Sequence, residues 1–167
     1  MATPEKVLGP LRSLADRSRF SVWNTDKLRL ADVDHQGHVN NAVHAVLYTN
    51  GRHEFFRRHL RPYTAKTDLF AMVKMTIEYL SEMHYPGEVE VGTLIRRIGR
   101  SSITFGQGMF NDGRCIAVSE AVMVMLDPVT RRAKPLSPEA VAQLTRFVEV
   151  ACPTSQLSSN ADAIINE

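Results

Sequence analysis

The stretch Asp34-His35-Gln36-Gly37-His38-Val39-Asn40-Asn41, together with its flanks, decides how this chain is read. It sets one carboxylate shortly before a glycine and the start of a helix. Ahead of it, Leu28-Arg29-Leu30-Ala31-Asp32-Val33 is strand-like. Behind it, Ala42-Val43-His44-Ala45-Val46-Leu47-Tyr48 is apolar, periodic and long enough for a helix. A helix N-terminus exposes unpaired backbone N–H groups and carries partial positive charge. Such donors stabilise a carbonyl oxygen on which negative charge develops. An acid beside them attacks that carbonyl or activates a water against it. The pattern points to acyl-transfer chemistry, with Asp34 as the working acid.

Outward from this motif, a first strand is expected over roughly Lys27 to Ala31 and a helix from about Asn41 to His59. Val43, Val46, Leu47, Phe55 and Phe56 form the apolar side of that helix. Gly51 inside it costs roughly 1 kcal/mol against alanine, which suggests close approach of helix and sheet. Pro62 closes the helical region, and the period then switches to two. Ala71, Val73, Met75, Ile77 and Tyr79 share one face, with Lys74, Thr76 and Glu78 on the other. Tyr85-Pro86-Gly87 reads as a turn, Glu88 to Ile98 and Ser102 to Phe110 as strands, and Asn111-Asp112-Gly113 as a hairpin signal. Arg114 to Leu126 is a long apolar strand stopped by Asp127-Pro128. Ser137-Pro138-Glu139 opens a peripheral helix running to about Val150.

A chain of 167 residues suits one domain with a proper core. We divide it into a loose lead-in (1–19, with a helical turn near Leu11 to Ala15), a domain (20–150) and a flexible tail (151–167). Twenty Lys plus Arg against 18 Asp plus Glu leave a net charge of +2, too little to argue for nucleic acid. Basic residues do bunch at Arg57-Arg58-His59-Leu60-Arg61, at Arg96, Arg97 and Arg100, and at Arg131, Arg132 and Lys134. The middle group suits the phosphates of a nucleotide-bearing ligand. Cys115 and Cys152 lack metal spacing and suit a reducing compartment. No signal-peptide core and no run of ~18 apolar residues is present, so we expect no membrane span and a cytoplasmic protein. His35 and His38 beside Asp32 and Asp34 have ligand chemistry, but with no further His or Cys cluster we expect no metal.

The segment from Leu28 to Phe56 resembles the signature of the hotdog-fold acyl-CoA thioesterases of the 4-hydroxybenzoyl-CoA thioesterase-like family. That signature is an Asp, two residues, Gly-His-Val-Asn-Asn, then a helix with aromatics and an Arg near its end. Asp34, Gly37, His38, Val39, Asn40, Asn41, Tyr48 and Arg52 fit it. Arg97-Ile98-Gly99-Arg100-Ser101-Ser102 is similar to the family's strand junction near coenzyme A. The resemblance covers roughly Thr25 to Leu136. It implies an α+β hotdog fold: a long central helix wrapped by a curved five-stranded antiparallel sheet, the last four strands in a meander. It also implies a homodimer or homotetramer with active sites at the subunit interface.

The implied function is hydrolysis of an acyl-CoA thioester, with coenzyme A as part of the substrate and no cofactor. By resemblance, Asp34 is nucleophile or general base, and backbone N–H groups at Val39, Asn40 and Asn41 hold the thioester oxygen. His38, fixing the loop through a backbone hydrogen bond, is placed at the substrate site with His44, Tyr48, Arg97, Arg100, Ser101, Ser102 and Thr104. Two positions depart from the family. Thr49 and Asn50 stand where many relatives carry Glu, and His44 stands where Tyr is common. Glu54 reads as an Arg58 partner one turn on. An acyl-carrier-protein thioesterase and a non-catalytic acyl-CoA-binding hotdog domain are the alternatives.

Overall fold

The computed structural model describes residues 11–149. The start of the lead-in, the tail and Cys152 lie outside the described residues. The elements follow in the order β1 (Val22–Lys27), α1 (Asn41–Phe55), β2 (Leu69–Tyr79), β3 (Glu88–Ile98), β4 (Ser102–Asn111), β5 (Arg114–Leu126) and α2 (Pro138–Thr145). α1 runs on through a π-helical turn, Phe56–Leu60, and a 3-10 turn, Arg61–Tyr63, which holds Pro62.

All five strands form one antiparallel sheet in the order β1-β3-β4-β5-β2. The expected four-strand meander is therefore corrected: β3, β4 and β5 meander, and β2 lies at the far edge against β5. β1 already occupies the open side of β3, from Val22↔Thr93 to Lys27↔Glu88. Only the free edge of β5 remains, and β2 pairs there from Leu69↔Leu126 to Tyr79↔Ala117.

The first strand also differs from expectation. It ends at Lys27, and Leu30–Asp32 is a 3-10 turn. Asp32 is buried and its carboxylate accepts from the Arg29 backbone N–H at 2.8 Å and from the Arg29 guanidinium at 2.7 Å. This local side-chain bonding competes with a ladder and wins.

One sheet face packs on α1. Val89, Val91, Thr93 and Ile95 are buried toward it, as their alternation requires, and meet Leu47, Tyr48 and Phe55. Gly51 permits the approach: a Cβ there would lie 2.8 Å from Val91 Cγ1. In β2, Met75 and Ile77 pack inward, but a bulge between Met72 and Lys74 shifts the register and Val73 is left 59% exposed.

The other face is covered as well. Leu11, Leu14 and Phe20 bury against Leu94, Phe110 and Val118, with Trp23 edge-on to Phe20 at 5.6 Å and to Phe110 at 5.7 Å. From Leu11 onward the lead-in is thus part of the core rather than loose, with its helical turn at Arg12–Ala15. α2 is shorter than expected and only its outer side is peripheral. Ala140 and Leu144 are fully buried in the cluster that holds Phe55 and Ile95.

Candidate active site

The loop from Val33 to Asn40 folds on itself. Val33 pairs with Val39, the Asp34 N–H donates to the His38 carbonyl at 2.8 Å, and the Gly37 N–H donates to the Asp34 carbonyl at 3.1 Å. Gly37 has φ +85, a conformation that side chains disfavour, so glycine is what lets the chain reverse here. The reversal aims two N–H groups at one carboxylate oxygen. Asp34 Oδ1 accepts from Gln36 N–H at 2.8 Å and from His38 N–H at 3.3 Å. These bonds, that of Gln36 first, hold the Asp34 pKa below the ordinary carboxylate value and keep the group ionised. Asp34 Oδ2 has no hydrogen-bond partner among the described residues.

Asp34 lines a cavity of about 750 Å³ shared with Asn41, His44, Tyr79, Met83 and Arg114. The expected backbone donors need correcting at two of three positions. Val39 N–H donates to Met83 O at 2.8 Å, and Asn40 N–H donates to Asp32 O at 2.9 Å. Both bonds stitch the loop to its neighbours, so neither N–H is open to a ligand. The Asn40 side chain caps α1 by accepting from Ala42 N–H at 2.9 Å. That leaves the Asn41 N–H, at the first helical position, unclaimed among the described residues.

The other expected residues divide. His44 lines the cavity, with Nδ1 3.2 Å from Asn40 O, its ring edge-on to Tyr79 at 5.1 Å, and Nε2 without a partner among the described residues. Burial lowers its pKa. His38 also lines the cavity, but among the described residues its side chain makes no hydrogen bond to loop backbone, contrary to expectation. Its Nε2 faces Glu82 at 3.5 Å, and its ring stacks edge-on to His84 at 4.9 Å. Tyr48 is corrected outright as a substrate contact. It is fully buried in the core cluster with Val39 and Met83, does not itself line the cavity, and its hydroxyl has no partner among the described residues.

Beneath α1, the buried Arg52 donates to Gln107 Oε1 at 2.6 Å and to Thr49 Oγ1 at 2.9 Å. Thr49 thus helps to hold the Arg52 guanidinium. Glu54 pairs with Arg58 at 3.0 Å, as its spacing implies, and with Arg57 at 2.8 Å.

Arg97, Arg100, Ser101, Ser102 and Thr104 are not brought to the Asp34 cavity. They lie at the β3–β4 turn, where Ser102 pairs with Val124, whereas the cavity opens at the end of the sheet where Asn111 pairs with Arg114. At ~3.3 Å per residue, the run of β4 from Thr104 or Ser102 to Asn111 separates the two groups by roughly 20–30 Å along the strand. Arg96, their neighbour, is already neutralised by Glu120 at 2.9 Å and Glu149 at 3.5 Å. Arg97 and Arg100 are exposed and have no ion pair among the described residues.

Sequence reasoning missed Tyr79, Arg114 and the segment from Leu80 to His84 as cavity wall. The alternation Glu82-Met83-His84, polar-apolar-polar beside a turn, was the available signal.

A family model described as the thioesterase-like superfamily matches residues 28–144. The chain belongs to that superfamily. The acyl-CoA thioester hydrolase YbgC of Escherichia coli is 27% identical over 116 residues, spanning 67% of this chain and 87% of its own length. The structure of a predicted thioesterase from Bacillus stearothermophilus superposes with TM-score 0.71 at 27% identity, covering 78% of this chain and 98% of that one. A Thermus thermophilus thioesterase solved with coenzyme A and zinc gives TM-score 0.67 at 26% identity, over 77% and 95% of the two chains. The central helix wrapped by a five-stranded antiparallel sheet is the hotdog fold, and the superfamily places the chain among thioester hydrolases. No helix among the described residues is long and apolar enough to cross a membrane.

Proposed function

We propose that this chain is an acyl-CoA thioesterase in which Asp34 acts on the thioester carbonyl while the Asn41 N–H and the α1 N-terminus polarise its oxygen. One observation carries the reading. An ionised carboxylate, fixed through one oxygen by Gln36 and His38 N–H groups, shares a cavity wall with the unclaimed first N–H of the long helix. Oδ2 is the oxygen left for chemistry, as nucleophile on the carbonyl or as base for water. The leaving thiol departs readily enough that the chemistry needs no cofactor. His44 closes the cavity beside Tyr79 and shapes the acyl side.

The test is release of free coenzyme A from a panel of acyl-CoA substrates, read with a thiol-reactive dye. Asp34→Asn should lose about 10²–10⁴-fold in turnover while keeping its fold by circular dichroism. Near-normal rates in that variant would remove Asp34 from the mechanism. A binding domain without catalysis would release no thiol at all.

A second copy of the chain completes the site in this reading. β2 is an eleven-residue edge strand with Leu69, Met72, Val73 and Tyr79 exposed, an edge that a partner strand would cover. Arg97, Arg100, Ser101, Ser102 and Thr104 then serve the coenzyme A of the neighbouring subunit.

A further inference from the structure

Three side chains at the rim of the Asp34 cavity converge without being used by the chemistry above. His38 Nε2 lies 3.5 Å from Glu82 Oε2, and His84 Nε2 lies 3.9 Å from that same oxygen. One ligand atom from each of the three lies within 4.8 Å of the other two. We propose that His38, Glu82 and His84 form a site for a divalent transition ion of the zinc class, whose occupation restricts entry to the catalytic cavity.

The donor set is two imidazoles and one carboxylate, which suits zinc and disfavours magnesium, an ion that prefers all-oxygen shells. A tetrahedral ion with bonds near 2.0–2.1 Å needs its ligand atoms about 3.4 Å apart. The two imidazole-to-carboxylate separations are 3.5 and 3.9 Å and all three ligand atoms lie within 4.8 Å of one another, so side-chain rotation has to draw them together by at most about 1.4 Å to reach that spacing. Glu82 and His84 are exposed at the cavity rim, which would leave a fourth position open to water.

The backbone beneath the cluster is held firmly although the ligands themselves are accessible. Val39 N–H donates to Met83 O at 2.8 Å, and both residues are buried, at 3% and 1% exposure. Burial alternates accordingly: His38 is half-buried beside buried Val39, and Glu82 and His84 are exposed on either side of buried Met83. Two separate segments thus present three ligands from one pinned junction. Mutual packing of the rings is satisfied in the same arrangement, at 4.9 Å and 78°. All three residues line the cavity that contains Asp34.

The metal site itself stands whether or not Asp34 is the catalytic acid, whereas its effect on entry rests on the function proposed above for this cavity. The experiment is calorimetric titration of chelator-treated protein with zinc chloride, and separately with magnesium chloride. The comparison uses wild type, His84→Ala, Glu82→Gln and the distant control His53→Ala. Wild type and His53→Ala should bind zinc with matching affinity and ignore magnesium. His84→Ala and Glu82→Gln should each bind at least about tenfold more weakly, since losing a direct ligand costs no less than losing its supporting partner. Zinc sites elsewhere on the chain contribute equally to all four proteins. Zinc should also slow hydrolysis in wild type and not in His84→Ala. Equal zinc affinity in wild type and His84→Ala, or no zinc binding by wild type, would overturn the site. Binding without any effect on hydrolysis would overturn its role at the cavity entrance.

Discussion

Asp34 and His44 share one cavity wall, and their surroundings push both away from their ordinary titration. Backbone N–H groups hold Asp34 ionised, and burial holds His44 neutral. The second shift links to stability. A histidine whose folded pKa lies below its unfolded value of about 6.5 is neutral in both states at higher pH and costs nothing there. As pH falls below that value, the unfolded chain takes up the proton first and the native state loses ground. His59, also lowered by burial, contributes in the same sense. Thermal unfolding of wild type should therefore show a falling Tm from pH 7 toward pH 5, and His44→Phe should flatten part of that fall. Parallel pH profiles for the two proteins would mean that His44 does not carry the effect.

At the scale of elements, the contact between α1 and β3 sets where the helix mouth sits relative to Asp34. Gly51 lies over Val91 so closely that an added methyl must displace it. Alanine gains about 1 kcal/mol in helix propensity, whereas overpacking a core contact costs about 1–3 kcal/mol. Gly51→Ala should thus destabilise by about 1 kcal/mol in urea unfolding. Adding Val91→Ala should restore more than additivity predicts, because the two residues share the contact. A strictly additive double mutant would show that the helix simply shifts. The neighbouring Arg52–Gln107–Tyr48 network explains the side chain at this level: Gln107 Nε2 donates to the Tyr48 carbonyl at 3.1 Å and to Thr93 Oγ1 at 3.0 Å, tying helix to sheet. Desolvation pulls the Arg52 pKa down to about 10, still well above neutrality, so the charge persists and Gln107 and Thr49 must solvate it.

For the whole molecule, the question is how an acid at one end of the sheet works with basic residues at the other. Within one chain the length of β4 keeps them apart, so Arg100 reaches only a neighbour's substrate in the dimeric reading. Arg100→Ala should then raise KM for acyl-CoA with kcat nearly unchanged, the signature of lost uniform binding. It should leave KM unaltered for a short thioester lacking the nucleotide. An unchanged KM for acyl-CoA would exclude Arg100 from coenzyme A recognition.

Local signals in the sequence determined much of this. Period and punctuation gave α1 its start at Asn41, β3 and β5 their spans, the Asn111-Asp112-Gly113 hairpin, and the cap at Ser137, because each depends on residues a few positions apart. The Asp34-to-Asn41 motif was legible for the same reason, and with it the family. Only the tertiary structure decided that β2 crosses to β5, that Leu11 to Phe20 cover the second sheet face, and that the Val39 and Asn40 N–H groups are spent on Met83 and Asp32. It alone brought Glu82 and His84 beside His38. Those outcomes turn on which partner fills an edge, a face or a hydrogen bond first, and that competition is between segments far apart in the chain.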